Sequence, residues 1–156
     1  MSHKNYITPE GYINLKDQLH ELVTITRPEL VKTISWAAGN GDRSENGDYI
    51  YGKKKLREID KQIYILTKKI ENIEPIDSSI HKGSDKIFFG AIVTIYRNDN
   101  EQKIRIVGQD ETNLELCYIS WTSPLARALL GKKIGDSFAL KAPKGDDVIE
   151  IIDVEY

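Results

Sequence analysis

Two long segments of the chain repeat apolar residues at steps that alternate between three and four positions. The first set is Tyr12, Leu15, Leu19 and Leu22, and the second is Leu56, Ile59, Ile63, Leu66, Ile70 and Ile73. This spacing places apolar side chains along one side of a helix and is typical of helices that pack as a coiled coil. The pattern therefore predicts two long helices, each with an apolar seam.

The two seams match when the helices run antiparallel. Facing residues in such a hairpin have numbers with a constant sum, and four pairs give 81 or 82: Tyr12 with Ile70, Leu15 with Leu66, Leu19 with Ile63, and Leu22 with Ile59. The chain then reverses near residue 41, where glycines suit a turn. We expect a hairpin over residues 1–75, with a second helix about 45 Å long.

The ends of the predicted helices have recognisable signals. Thr8, Pro9 and Glu10 are typical of a helix start, with a hydroxyl N-cap, a proline in the first turn and an acid near the positive end of the helix dipole. Pro28 should kink or briefly end this first helix. Ser44 is the expected N-cap of the second helix.

From residue 87 the period of the pattern changes to two, which predicts strands. We expect strands at 87–96, 103–107, 114–120, 138–142 and 148–154, and a short helix at 125–130 capped by Ser123 and Pro124. Residues 76–86 are polar and rich in turn formers, as in a linker. The predicted fold is therefore α+β, with an N-terminal antiparallel coiled-coil hairpin and a C-terminal, mostly antiparallel β domain over 87–156.

Composition limits the classes of function. The chain has 156 residues and a net charge of −2, so bulk charge would not drive it to free nucleic acid. The single cysteine, Cys117, excludes a disulfide within the chain and lies in an apolar-alternating stretch, where a small buried residue is expected rather than a nucleophile. No apolar run approaches the ~18 residues that span a membrane. We expect a cytoplasmic protein.

Two carboxylates, Asp42 and Glu45, fall at the predicted turn of the hairpin. They could contact one divalent cation, but they cannot fill the octahedral shell of Mg²⁺, and the next acid is Asp48. Two interpretations stay open. The acids are either solvated residues near a helix N-terminus, or ligands that complete the shell of an ion held by a partner.

A basic stripe follows the turn. Lys53, Arg57 and Lys61 recur every four residues and so share one face of the second helix. They form either a solvated helix face or a surface for phosphates.

The chain resembles the bacterial Gre transcript-cleavage factors, and their GreB type in particular. The similarity covers roughly residues 6–156. It is carried by residues 41–46 (Gly-Asp-Arg-Ser-Glu-Asn) with Asp48 and Tyr49, by 27–29, by 54–60, by 88–91, by 105–108 and by 123–130. Gly47 departs from the alanine usual in the family, at a cost of about 1 kcal/mol in helix propensity.

The resemblance implies a factor that is not itself an enzyme. Such a factor inserts its hairpin through the secondary channel of RNA polymerase and stimulates Mg²⁺-dependent cleavage of backtracked RNA 3′ ends. Asp42 and Glu45 map to the acids that help to hold the second Mg²⁺ of the polymerase, an ion that the isolated protein does not bind tightly. Lys53, Arg57 and Lys61 would face the RNA.

For the C-terminal part, the resemblance implies an FKBP-like fold that docks on the polymerase through Ser123, Pro124, Leu125 and Arg127. It also implies a monomer when free, with no membrane partner. Three alternatives stay open: a channel-occupying inhibitor that does not promote cleavage, a prolyl isomerase, and a coiled-coil adaptor with an idle turn.

Overall fold

The computed structural model describes residues 5–40 and 46–156. The chain divides into two compact units. One is the helical unit, Tyr12–Asn72. The other is the β unit, which combines residues 5–11 with residues 73–156. The hairpin is predicted over residues 1–75, whereas the helical unit begins at Tyr12 and ends at Asn72.

The helical unit is a hairpin, as the apolar spacing predicts. Helix α1 (Pro9–Glu21) is followed by a π-helical turn (Leu22–Thr26) and by helix α2 (Arg27–Ala38), and helix α3 (Gly47–Glu71) returns. Leu15 is 8% exposed, and the other seam residues of the helices are partly buried. Helix α3 has 25 residues, which gives a length of about 37 Å rather than 45 Å. Ile73, the last residue of the predicted seam, lies in a strand instead.

The proline-containing segment keeps a helical path. The N–H of Arg27 donates to the carbonyl of Leu22, five residues back, and α2 begins directly afterwards with Pro28 in its first turn. Pro28 has no N–H to donate, and the wider turn before it accommodates this loss. The predicted interruption is therefore a π-helical turn and not an end of the helix.

A single register does not extend along the hairpin. Ala37 faces Asn46, Ile34 faces Gly52, and Arg27 pairs with Asp60 at 2.8 Å, so the sums of these residue numbers are 83, 86 and 87. The sum of 81 or 82 predicted for the pairs between residues 12–22 and 59–70 therefore does not extend to α2.

Strands of the β unit form two sheets within the described residues. Strand β1 (Asn5–Ile7) pairs in parallel with β2 (Ile73–Pro75). The larger sheet has the order β5-β4-β3-β7-β6, from β3 (Ile92–Arg97), β4 (Asn100–Val107), β5 (Tyr118–Ser120), β6 (Ser137–Leu140) and β7 (Asp147–Glu155). Its pairs are antiparallel except for β4 with β5. Helix α4 (Pro124–Leu129) contributes Ala126 and Leu129 to the core.

Two strand predictions are wrong in part. The strand predicted at 87–96 begins only at Ile92, because Gly90 adopts a φ of 88° that interrupts extended backbone. Of the strand predicted at 114–120, only Tyr118–Ser120 is extended. The backbone N–H groups of Glu115 and Leu116 donate to the side chain of Asn113 instead. Cys117, at φ 59°, is half-buried against the core.

The predicted linker at 76–86 belongs to the β unit. The N–H of Ile76 donates to the carbonyl of Ile7 at 2.9 Å. Residues Ser78–His81 form a 3-10 turn, and the His81 ring stacks on Phe88 with 4.0 Å between ring centroids. These contacts explain why a polar segment is ordered here.

A carboxylate of the β unit caps the first turn of α1. Both the N–H and the hydroxyl of Thr8 donate to Glu111, at 2.7 and 2.5 Å, and the N–H of Gly11 donates to the Thr8 hydroxyl at 3.1 Å. Thr8 is thus the N-cap, as predicted, and Glu111 holds it from 103 residues away. Across residues 5–40 and 46–156, no helix combines the length and the apolar character needed to cross a membrane.

Candidate functional site

The two predicted metal-ligand carboxylates, Asp42 and Glu45, lie outside the described residues, in the segment that joins α2 to α3. The described residues on either side of this segment define its two anchor points. Helix α2 closes with hydrogen bonds from the N–H groups of Gly39 and Asn40, and Asn46 lies before the first residue of α3.

Asn46 connects these two helix ends. Its side-chain oxygen accepts from the N–H of Tyr49 at 3.2 Å, which caps α3. Its side-chain nitrogen donates to the carbonyl of Ala37 at 2.5 Å, in the last turn of α2. Ser44, the predicted cap, lies outside the described residues, and the N-cap of α3 is Asn46 instead. An amide can accept at one helix end and donate at the other, which a hydroxyl of this length cannot do across the same distance.

The helices approach closely beside this anchor. Gly52 is buried, and a Cβ at that position would lie 2.7 Å from Cγ1 of Ile34. Ala37, also in this region, is 1% exposed. Residues 41–45, which contain Asp42 and Glu45, are called the acidic segment below. Small residues at positions 37 and 52 allow α2 and α3 to approach closely beside the two ends of this segment.

The donor set of the described residues does not suit a resident metal. No three of their His, Cys, Asp or Glu side chains come together in a group that could hold a metal ion. Asp48 lies in the first turn of α3 and is exposed. Mg²⁺ is usually held by one or two carboxylates, with waters and other oxygens completing its octahedral shell.

The basic stripe lies on the exposed side of α3. Lys53, Arg57 and Lys61 are all exposed, and none of them forms a hydrogen bond or an ion pair with another described residue. Their neighbours behave differently, because Lys55 contacts Glu58 at 3.7 Å and Lys68 contacts Glu71 at 3.5 Å. The three cations of the stripe are therefore available to an external anion.

An acid beside the stripe is neutralised from the other helix. Asp60 accepts a hydrogen bond from Nε of Arg27 at 2.8 Å. This hydrogen bond, together with the charge of Asp60, raises the pKa of the Arg27 guanidinium above its usual value. Because Asp60 is paired with Arg27, it offsets less of the positive charge of Arg57 and Lys61.

The four residues predicted to dock on a partner occupy α4 and its cap. Ser123 is the N-cap: its hydroxyl accepts from the N–H of Ala126 at 3.3 Å and donates to the carbonyl of Ser120 at 2.7 Å. Leu125 packs against the core. Pro124 and Arg127 are exposed. The fold thus uses Ser123 and Leu125 to build the helix and leaves Pro124 and Arg127 accessible.

Sequence spacing correctly put Lys53, Arg57 and Lys61 on one exposed face of α3 but missed Asn46 and Gly52, and the roles predicted for Asp42 and Glu45 stay predictions. The signal for Asn46 was present, since asparagine is a favoured N-cap residue directly before the seam of α3. No sequence signal marked Gly52, because its role depends on which residue of α2 faces it.

Two family models together match most of the chain. One model, described as "Transcription elongation factor, N-terminal", matches residues 5–74. Another, described as "Transcription elongation factor, GreA/GreB, C-term", matches residues 82–156. The chain therefore belongs to the GreA/GreB family of transcription elongation factors.

Relatives named transcription elongation factor GreB match nearly the whole chain. The protein of Neisseria meningitidis serogroup B is 51% identical over 98% of this chain and 94% of its own length. That of Pseudomonas aeruginosa is 44% identical over 96% and 89%. That of Yersinia pestis is 42% identical over 100% and 91%. Within the family, the chain is therefore of the GreB type.

Two solved structures are also similar. The GreA factor homolog 1 (Gfh1) protein of Thermus thermophilus has a TM-score of 0.44 and 22% identity over 99% of this chain and 100% of its own. A GreA/GreB factor from Nitrosomonas europaea has a TM-score of 0.43 and 16% identity over 99% of both chains.

Proposed function

We propose that this elongation factor binds RNA polymerase, inserts the turn of its hairpin through the secondary channel, and stimulates cleavage of backtracked RNA 3′ ends. The observation that carries the proposal is the position of Asp42 and Glu45 in the chain. They lie between two long antiparallel helices whose ends are bridged by Asn46. A helical hairpin is narrow enough to enter a channel, and its turn would carry the two acids to the end of that channel.

The chemistry follows from what two carboxylates can supply. When bound, Mg²⁺ lowers the pKa of a water molecule and stabilises the oxygen that leaves in phosphodiester hydrolysis. Asp42 and Glu45 would provide two of its oxygen ligands, and the polymerase would provide the others. The protein alone should therefore have no nuclease activity and no tight Mg²⁺ site, and it acts as a factor rather than as an enzyme.

Other parts of the chain would serve binding. The free cations of the stripe would face the phosphates of the extruded RNA, since charge and exposure both suit that ligand. Pro124 and Arg127 are exposed on α4 and would contact the polymerase, with Ser123 and Leu125 holding the helix in place. We place this activity in the cytoplasm and infer a monomer when free.

The test is a stalled elongation complex with a backtracked, 5′-labelled RNA. Addition of the full-length protein with Mg²⁺ should shorten the labelled RNA and restore its extension. The protein without polymerase should leave the same RNA intact. Binding that blocks nucleotide addition without any shortening would instead identify a channel-occupying inhibitor and refute the proposal.

A further inference from the structure

The exposed face of α3 continues beyond the three basic residues. Going along the helix, the exposed residues Ile50, Lys53, Arg57, Lys61, Tyr64 and Lys68 follow one another at steps of three or four positions. Such steps keep all six side chains on one side of the helix. The stripe therefore has an aromatic member, Tyr64, one turn beyond Lys61.

Tyr64 presents its ring to solvent. The residue is 64% exposed, and its ring has no stacking partner among the other described aromatic side chains. The ammonium of Lys68 lies 5.7 Å from the ring centroid but also contacts Glu71 at 3.5 Å. The ring thus has one cation near it, while most of its surface is in contact with water. An aromatic ring in water contributes little stabilising free energy to the fold.

We propose that Tyr64 is a stacking platform for one base of a single-stranded RNA whose phosphates lie along Lys53, Arg57 and Lys61. Proteins that hold single strands combine a basic track with aromatic rings, because every base has a face that can stack. The inference rests on the proposed function and names the ligand of its basic stripe.

An acidic protein surface fits this face less well. Carboxylates would pair with the three cations, but they would make no use of an exposed ring at the end of the track. RNA uses both, through its phosphates and its bases. With a net charge of −2, the whole chain would not collect free RNA, so the platform would act on RNA already held in the polymerase complex.

The test compares three variants of the full-length protein on elongation complexes with short and long backtracked RNA. Tyr64→Leu should reduce affinity and cleavage about fivefold or more for long RNA, and leave both unchanged for short RNA. Tyr64→Phe keeps the ring and should match wild type. Tyr51→Leu is the matched control, since Tyr51 is 63% exposed and lies 5.9 Å from the ammonium of Lys55, but on another side of the helix.

A second arm tests the base directly. RNAs with one abasic nucleotide, moved stepwise from the 3′ end, should weaken wild type to the level of Tyr64→Leu at one position. An abasic nucleotide at that position should not weaken Tyr64→Leu any further. Cleavage that is normal in Tyr64→Leu would overturn the inference. So would a loss in Tyr64→Leu that is equal at every RNA length and insensitive to abasic sites, because the ring would then contact protein.

The two proposals fail separately. If the wild-type protein binds the complex with the base dependence described but does not shorten the RNA, cleavage stimulation is wrong and the stacking platform stands. If it shortens the RNA without any dependence on Tyr64, stacking is wrong and cleavage stimulation stands.

Discussion

The side chain of Asn46 donates to the carbonyl of Ala37 at 2.5 Å while it accepts from the N–H of Tyr49. This one amide therefore gives the Ala37 carbonyl, which already accepts from the N–H of Asn40, a further donor, and it satisfies a free N–H at the start of α3. Glu45 precedes Asn46 directly, and Asp42 lies three residues before Glu45. The hydrogen bond between Asn46 and Ala37 thus fixes the distance between the two helix ends that the acidic segment connects.

Replacement of Asn46 by alanine removes both hydrogen bonds. We expect a loss of about 1 kcal/mol in the free energy of unfolding, which is typical of a lost N-cap. The cleavage rate should fall even under conditions where the variant is still fully folded. Urea unfolding and the cleavage assay measure the two effects. Asn72→Ala is the matched control, because Asn72 donates to Lys68 at the other end of α3. Equal cleavage by the two variants would contradict the role of the bridge.

Neutral amides at the acidic segment separate chemistry from binding. Asp42→Asn and Glu45→Gln keep the size of each side chain but lose the charge that a Mg²⁺ ligand provides. Each should reduce stimulated cleavage more than about tenfold, while competition with wild-type protein for the polymerase stays nearly unchanged. A normal cleavage rate for either variant would remove that residue from the proposed ligand set.

Gly52 should resist substitution although it lies inside a helix. Alanine there would gain up to about 1 kcal/mol in helix propensity, but its Cβ would lie 2.7 Å from Cγ1 of Ile34. We expect Gly52→Ala to lower the melting temperature and Ile34→Ala to restore part of the loss in the double variant. Gly47→Ala, where a Cβ meets nothing within 4 Å, should be neutral or stabilising.

Charge reversal of the stripe tests the RNA contact. The triple variant of Lys53, Arg57 and Lys61 to glutamate should lose cleavage of long backtracked RNA most, because each contact to a phosphate acts through charge. The advantage of wild type should shrink as salt rises. A uniform loss at every RNA length would indicate a general docking or folding defect. Reversal of Lys55, which already contacts Glu58 and lies on another side of the helix, is the control.

Tyr156 should make stability depend on alkaline pH. Burial raises the pKa of its phenol, although the hydrogen bond from the N–H of Phe88 acts in the opposite direction. The folded state keeps this proton when the unfolded chain releases it near pH ~10, so stability is complete below that pH and falls as pH rises through the folded pKa.

Tyr156→Phe isolates this effect. The variant loses two hydrogen bonds of the phenol, one accepted from the N–H of Phe88 at 2.8 Å and one donated to the carbonyl of Lys86 at 2.5 Å. The free energy of unfolding should fall by about 1–2 kcal/mol near neutral pH. Its stability deficit should narrow above pH ~10. A deficit that stays constant up to pH 11 would show that the phenol titrates alike in both states.

The seams of the hairpin could be predicted because helix burial repeats at regular steps along the sequence. The π-helical turn at Leu22–Thr26 could not, since it depends on which carbonyl the N–H of Arg27 reaches. The alternation of Leu114 and Leu116 indicated a strand, yet these residues are 96% and 58% exposed. Hydrogen bonds to the Asn113 side chain outweighed their strand propensity there.

Within the candidate site, the stripe could be predicted for the same reason as the seam. The exposed face of α3 is the side opposite its apolar residues, so spacing alone placed Lys53, Arg57 and Lys61 together. The contacts of Asn46 and Gly52 join residues from both helices. Sequence spacing within one helix contains no information about such pairs.

The hydrogen bonds between Thr8, the N-cap of α1, and Glu111 have a consequence for synthesis of the chain. Translation releases the N-terminus first, but β1 needs β2 as its partner, and the first turn of α1 needs a carboxylate made 103 residues later. Residues 5–8 must therefore wait for these partners until Glu111 has been synthesised. Contacts between residues so distant in sequence form slowly, so we expect this segment to reach its native place after the helices that follow it.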